Sequence, residues 1–359
     1  MTDFIVIGGG IAGVSAGARL SELGTVTLLE SKPALGYHAS GRSAALYEAS
    51  YGLPTTVALN IASGAYHRTA HGGYLSDRGL LVLGSADQAD SFAHDLKDLD
   101  LDELSVDDAC AKVPILNPDT VAFAGYHDAA WDIDTDRMIQ DFAKDIRAAG
   151  GSVITSAPVT AITRTDTGWA VTAGGTDYTA STLVNAAGAW ADPIAELAGI
   201  APIGITPNRR SMARLPAPGG HDVSTWPMLL GSGETWYAKP DAGKWLVSPA
   251  EEHPTHPHDA WADDMVLAEG LARYEAMVTE PVTRLETSWA GLRSFSPDRA
   301  LVLGPDPDTP SFVWVAGQGG YGFQTAPAAS QLVADLVAGR PPQLDAATVA
   351  ALRPDRLRP

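Results

Sequence analysis

The sequence predicts an α/β protein in which a Rossmann-like parallel-sheet domain is interrupted by an α+β domain built on an antiparallel sheet. Three observations predict it. From Phe4 onward a strand, a glycine turn, a helix, a second strand and an acid follow one another directly, and a second strand, glycine loop and helix begin at Phe312. Between them lie short apolar pieces separated by turn residues. The 359 residues suit one large or two joined domains, and 45% hydrophobic with 19% charged residues describes a chain that folds around a core.

The first element, Phe4 to Ile7, is an apolar run typical of a parallel strand buried on both faces. Gly8, Gly10 and Gly13 then satisfy GxGxxG, which needs glycine for a tight turn, for backbone approach to a pyrophosphate and for helix–strand packing. A helix is predicted over Ala12 to Leu23 with Gly24 as its C-cap, its N-terminal amides and dipole facing the phosphates. Val26 to Leu29 forms the next strand, and Glu30 at its end is placed to accept both ribose hydroxyls of an adenosine. This order points to an adenine dinucleotide. Glu30 disfavours a 2′-phosphate, although Lys32 nearby leaves that question open, and the motif alone does not separate FAD from NAD.

Three further segments decide for a flavin. Gly36 to Ala45 (GYHASGRSAA) is a small-residue stretch suited to a pyrophosphate and an isoalloxazine edge, and Leu183 to Trp190 (LVNAAGAW) is a strand ending in small residues. Phe312 to Thr325 gives a buried strand, a glycine loop and the start of a helix running to about Gly339, whose first amides suit negative charge on a reduced flavin. Together these segments resemble the D-amino acid oxidase-like superfamily of FAD-dependent amine and amino acid oxidoreductases, within the glutathione reductase type of dinucleotide fold. The resemblance covers essentially the whole chain. At finer grain it is similar to the D-arginine dehydrogenase branch, through Gly36 to Ala45, Trp131 to Thr135, Trp289 to Phe295 and Gln318 to Thr325.

The resemblance implies noncovalent FAD contacted by Gly8, Gly10, Ile11, Ala12, Gly13, Glu30, Ser31, Ser40, Gly41, Arg42, Ser43, Ala44, Ala45, Val159, Ala187, Gly188, Trp190, Gly319, Gly320, Tyr321, Gly322, Phe323 and Gln324. His38 lies where some relatives attach FAD covalently, but the closer branch shares this histidine without such a link. The FAD-binding domain is expected to be discontinuous, over 1–76, 137–203 and 292–359, with the substrate domain over 77–136 and 204–291. Within the latter, Glu234 to Ala238 and Lys244 to Val247 read as strands about the turn Pro240 to Gly243, in an antiparallel sheet over the flavin. Asp90 to Asp108 reads as a solvated surface helix.

An amine-oxidising flavoenzyme must point the substrate Cα hydrogen at flavin N5, hold the amine and clamp the carboxylate. The expected reaction is oxidative deamination of a D-amino acid by hydride transfer, giving an imino acid that hydrolyses to a 2-oxo acid and ammonia. Arg293 is the best carboxylate clamp, because a guanidinium fork matches two oxygens. Arg210 and Tyr51 match substrate-site residues by the resemblance, Tyr237 sits on a strand facing the site, and the Gly320 carbonyl is placed to accept from the amine. Two departures stand out. Where D-arginine dehydrogenases carry a histidine and a side-chain-binding carboxylate, this chain has Leu46 and Leu80, so a neutral, apolar side chain is expected, with Asp77 the alternative partner for a cation.

Composition excludes other classes. A net charge of −19, from 24 basic against 43 acidic residues, repels polyanions and argues against nucleic acid. Cys110 alone forms no disulfide and suits a reducing compartment, and with no signal-peptide pattern a cytoplasmic location is expected. Thr309 to Ala334 is uncharged, but its glycines, glutamines and Pro327 read as strand, turn and helix rather than a membrane span. His253 to His258 reads as a solvated loop, and no metal site is expected. The partners are a small amino acid and an electron acceptor of unknown identity. The competing readings are an oxidase of glycine, sarcosine or another secondary amine, and a flavin-binding protein without amine oxidation.

Overall fold

Strand Thr2–Ile7 alternates its side chains, Phe4 and Val6 to one side and Ile5 and Ile7 to the other, so both faces of its sheet must be covered. In the computed structural model, which describes residues 2–358, they are. The strand pairs in parallel with Val26–Leu29 on one side and Thr176–Asn185 on the other, and Phe312–Ala316 lies parallel beside the far half of Thr176–Asn185. An antiparallel meander, Val159–Thr165 and Gly168–Ala173, extends one edge of this eight-stranded sheet. Helices Ile11–Leu20, Thr135–Ala148 and Gly322–Ala338 cover the Val6 face, and Trp169, Ile200 and Trp314 pack on the Ile5 face.

The first helix ends at Leu20, three residues before the expected Leu23, because Leu23 and Gly24 both turn their amides back to the Leu20 carbonyl. Helix Gly322–Ala338 reaches Gly339 as expected, but Pro327 lies inside it. A neighbouring helix, Pro54–Thr69, compensates for the disrupted helical bonding: Ser63 Oγ accepts the Ala328 amide at 3.1 Å, and His67 Nε2 meets the Gln324 carbonyl at 3.0 Å. His67 is fully buried, and burial lowers its pKa to about 4, so the imidazole is neutral and donates to that carbonyl.

A nine-stranded mixed sheet forms the second layer, in the order His253–Pro254, Thr206–Leu215, Lys244–Ser248, Tyr237–Asp241, Met228–Gly231, Leu80–Gly84, Phe123–His127 and Asp102–Leu104, with Thr287–Phe295 also paired to Thr206–Leu215. Period-two alternation divides its side chains. Ala213, Trp245, Val247, Ala238, Leu229 and Leu81 join one core, while Met212, Tyr237, Leu230 and Leu80 form a second cluster on the other face, against which Ala44, Leu46 and Tyr51 pack. A three-stranded antiparallel sheet, Leu46–Glu48, Ala130–Ile133 and Leu75–Asp77, shares its side chains between the two large sheets, Tyr47 and Ile133 joining the core of the first and Leu46 and Ala130 the cluster under the second.

Two expectations change here. The strand foreseen from Glu234 starts only at Tyr237, because Ser232–Glu234 is a tight turn with Gly233 and Glu234 both at positive φ (68° and 54°). The single acidic helix foreseen over Asp90 to Asp108 is broken into helix Ala89–Asp98, edge strand Asp102–Leu104 and helix Val106–Lys112, with Asp100 at φ 51°. Leu99 and Leu101 flank that break and are buried, which a solvated helix would not achieve.

Candidate active site

The parallel strands Thr2–Ile7, Thr176–Asn185 and Phe312–Ala316 end together, and the loops leaving their carboxyl ends form one wall of a cavity of about 420 Å³. Gly8 leaves the first strand at φ 111°, where a side chain would also strike the Ala186 carbonyl. A Cβ on Gly13 would lie 1.8 Å from the Gly8 carbonyl oxygen, so this glycine lets the helix press onto the strand. Gly8, Gly10, Ile11 and Ala12 line the cavity, and the Ile11 amide donates to Ser40 Oγ at 3.0 Å. Glu30 is held by the chain around it: one carboxylate oxygen accepts the Gly9 amide at 2.7 Å, the other the Lys32 amide at 2.8 Å and Ser31 Oγ at 3.1 Å.

The remaining predicted contacts fall into two groups. Ser31, Ser40, Arg42, Ser43, Ala44, Ala45, Val159, Ala187, Gly188, Trp190, Gly319, Gly320, Gly322, Phe323 and Gln324 line the same cavity as Glu30. Gly13, Gly41 and Tyr321 stand behind its wall: Gly41 packs on the Gly36 carbonyl, and Tyr321 lies against Tyr51 with ring centroids 5.3 Å apart.

The cavity continues under the nine-stranded sheet. Asn208 pairs with Arg293 and Arg210 with Gly291, so Arg210 and Arg293 are diagonal neighbours on one face. Met212, Tyr237, Leu230, Met228 and Leu80 continue that face from strand to strand, and all line the cavity with Leu46, Tyr51 and Glu234. Among the described residues the Arg293 guanidinium makes no hydrogen bond, and its ion pair is a 3.8 Å contact with Glu252. Burial works against its charge, but Tyr51, Tyr237, Glu234 and Glu252 outweigh that and hold its pKa above the ordinary arginine value. Arg210 is more deeply placed and bonds Glu252 at 3.1 Å. Burial first, and Glu234 second, push the Tyr51 phenol up, so it stays protonated and donates to Glu234 at 3.0 Å. Among the described residues the Tyr237 hydroxyl meets only the Met212 sulfur, at 3.5 Å. Asp77, the alternative cation partner, lies on the small sheet and does not line the cavity.

A family-wide profile described as "DAO: FAD dependent oxidoreductase" matches residues 3–336. The chain belongs to the DAO family of FAD-dependent oxidoreductases. Among solved structures, this DAO-family chain is similar to glycine oxidase from Geobacillus kaustophilus, with a TM-score of 0.82 and 22% identity over 97% of each chain. It is also similar to L-proline dehydrogenase from P. horikoshii, with a TM-score of 0.83 and 21% identity over 99% of this chain and 97% of that one. At such identities these likenesses establish the fold. Among curated sequences it is 27% identical over 179 residues to "FAD-dependent oxidoreductase domain-containing protein 1" of Xenopus laevis, a match covering 44% of this chain and 34% of the relative. The chain thus spans about a third of the length of the curated relatives it matches.

The cavity of this DAO-family chain fits FAD. A Cβ on Gly10 would approach Ser40 Oγ to 3.1 Å, narrowing the wall where the first helix begins, and the glycine keeps that wall open. His38 Nε2 and Gln318 Nε2 are buried with no hydrogen-bond partner among the described residues, and both residues line the cavity, as polar groups that meet a polar ligand do. Burial holds the His38 pKa down. Among the described residues no metal-ligating cluster occurs, and no helix is long and apolar enough to cross a membrane.

Several residues in and beside the site escaped the sequence reading. Glu234 and Glu252 look like ordinary surface acids until the Gly233–Glu234 turn and the strand pairing bring them to Tyr51 and the arginines. Lys239, two residues from Tyr237 on the same face, is buried and bonds the carbonyls of Ala44 at 3.1 Å and Ala45 at 3.4 Å as well as Asp132. Burial lowers its pKa against the opposing pull of Asp132. The His253 to His258 segment is not merely a solvated loop: His253–Pro254 pairs with Asn208 and Arg209, and His258 and Ala260 line the cavity. Asp259 ties that segment to Arg42 and, at 3.8 Å, to Lys32. The repeated histidines gave no hint of this; Asp259 after them was the available signal.

Proposed function

We propose that the chain oxidises the Cα–N bond of a neutral D-amino acid with an apolar side chain, binding FAD without a covalent link. The observation that carries the reading is Arg293: a guanidinium on the cavity wall with no hydrogen bond to any described residue, beside Gly320 and within the field of two tyrosines. Arg293 takes the substrate carboxylate, helped by the Tyr237 hydroxyl, whose contact with the Met212 sulfur is a weak one. The Gly320 carbonyl accepts from the amine, fixing the Cα–H direction. Leu46, Leu80, Met228 and Leu230 receive the side chain and exclude water. FAD, when bound, supplies the two-electron acceptor at N5. The preference for the D-enantiomer follows the motif resemblance through Gly36 to Ala45 and Gln318 to Thr325.

A second reading, oxidation of glycine, sarcosine or another secondary amine, is supported by the whole-chain likeness to a glycine oxidase and an L-proline dehydrogenase. Anaerobic mixing of the holoprotein with D-amino acids, their L-enantiomers, glycine and sarcosine separates the two by bleaching of the visible flavin absorption. Fast bleaching by apolar D-amino acids is expected, with little by D-arginine. A response confined to glycine, sarcosine or L-amino acids moves the assignment to the second reading, and no response to any amine overturns both.

A further inference from the structure

We infer that Glu252, which nothing above places on the substrate, is the positioning residue that restricts the site to substrates with a single carboxylate. The inference rests on the carboxylate role proposed for Arg293. Arg210 and Arg293 are neighbours on the same sheet face and both line the cavity, so left to themselves they form two adjacent anion forks. Such a pair suits a dicarboxylate. Glu252 stands behind them, outside the cavity wall, and one of its oxygens lies 3.1 Å from Arg210 Nη2 and 3.8 Å from Arg293 Nη1. Its other oxygen meets Arg299 Nη2 at 2.7 Å, and that arginine is largely exposed. One carboxylate thus occupies Arg210 while touching Arg293 only at the long distance.

The local charge then balances. Among the groups at the cavity, Arg210 and Arg293 contribute two positive charges and Glu252 and the cavity-lining Glu234 two negative ones, while Arg299, on the outer oxygen of Glu252, is exposed and its charge is screened by solvent. A zwitterionic amino acid leaves that balance intact. A second substrate carboxylate adds an anion close to Glu252 and Glu234, with the charge of Arg210 already paired through Nη2 and its side chain buried to 4% exposure. In a site of low dielectric, like charges at such separations disfavour binding strongly.

The test uses the FAD-loaded protein and non-reacting ligands, propionate and benzoate against malonate and succinate, titrated by their perturbation of the flavin absorption spectrum. Glu252→Gln removes the charge and keeps the shape, and it is expected to tighten dicarboxylates relative to monocarboxylates by on the order of tenfold. Turnover of D-aspartate and D-glutamate relative to apolar D-amino acids is expected to rise in parallel. Glu252→Asp retains the charge and is expected to restore the wild-type preference. Equal shifts for both ligand classes, or a Glu252→Asp protein that behaves like Glu252→Gln, would overturn the inference in favour of a purely structural role. If wild type binds monocarboxylates and Arg293→Lys weakens them while Glu252→Gln leaves discrimination unchanged, only the role of Glu252 fails. If no carboxylate binds to wild type, the reading of Arg293 fails with it.

Discussion

Gly320 offers a way to displace the proposed carboxylate clamp without touching it. A Cβ built on Gly320 lies 2.7 Å from Arg293 Cζ, 2.8 Å from Nη1 and 3.0 Å from Nε. Ordinary contacts between such atoms are about 3.5–4.0 Å, so in Gly320→Ala the guanidinium must retreat by roughly 1 Å. Gly320 is absent from the residues at positive φ, so alanine meets no backbone strain there. Losing glycine's freedom in the unfolded chain then favours folding by about 0.4–1 kcal/mol, and thermal stability should hold or rise. Binding should not. A charge-assisted hydrogen bond contributes about 1.5–3 kcal/mol, so misplacing one arm of the fork should cost roughly tenfold to a hundredfold in substrate affinity. The assay is anaerobic flavin bleaching against substrate concentration, which separates the dissociation constant from the limiting rate, alongside a thermal melt. An unchanged dissociation constant in Gly320→Ala, with Arg293→Lys also unchanged, would refute the clamp; unchanged affinity in Gly320→Ala alone would refute the claim that its geometry matters.

Three further outcomes are expected. Asp259→Asn loosens the tie to Arg42 and Lys32, and flavin fluorescence after dilution should show FAD leaving several-fold faster at low salt, a difference that shrinks at high salt because the tie is partly exposed. Leu80→Glu places a carboxylate on the site face, and D-arginine turnover should rise while apolar substrates lose; arginine turnover no better than wild type would remove Leu80 from the side-chain pocket. His67 has a pKa of about 4, below its ordinary value, so the unfolded chain binds the extra proton first. Its contribution is full above about pH 6.5 and is lost progressively as pH falls toward the folded value, by about 3 kcal/mol. His67→Gln should remove that increment from the difference in denaturant midpoint between pH 7.5 and 4.5; an identical pH dependence in both proteins would mean that His67 is not held neutral.

What the sequence discloses follows from how local the determining physics is. The strand, glycine turn and helix from Phe4 to Leu20 are legible because a buried apolar run, close glycine contacts and helix initiation each act within a few residues. The hairpin Tyr237–Asp241 to Lys244–Ser248 is legible for the same reason, through its turn at Ala242 and Gly243. The pairing of Thr206–Leu215 with Thr287–Phe295 is not, because nothing local selects that partner or its register. That register alone makes Arg210 and Arg293 neighbours, so an arginine named from its motif could be proposed singly while its relation to Glu252 stayed hidden. The segment from His253 to Asp259 illustrates the same limit, since a polar loop folded over a cavity has the composition of one facing water.

The two parts of the cavity are joined by the chain itself rather than by closure of one domain on the other. Strand Thr287–Phe295 carries Arg293, and its next residue, Ser294, accepts the Gly319 amide at 2.9 Å and forms a β-bridge with Gly319. Gly319 belongs to the loop that opens helix Gly322–Ala338, the helix tied to Ser63 and His67 through Ala328 and Gln324. The guanidinium that is to hold a carboxylate and the loop that is to meet the cofactor are therefore separated by one hydrogen bond and one residue on each side. A substrate anchored at Arg293 inherits its distance from that loop without a moving part. This is why a single methyl group at Gly320, small as it is, falls between the two and should register in binding rather than in folding.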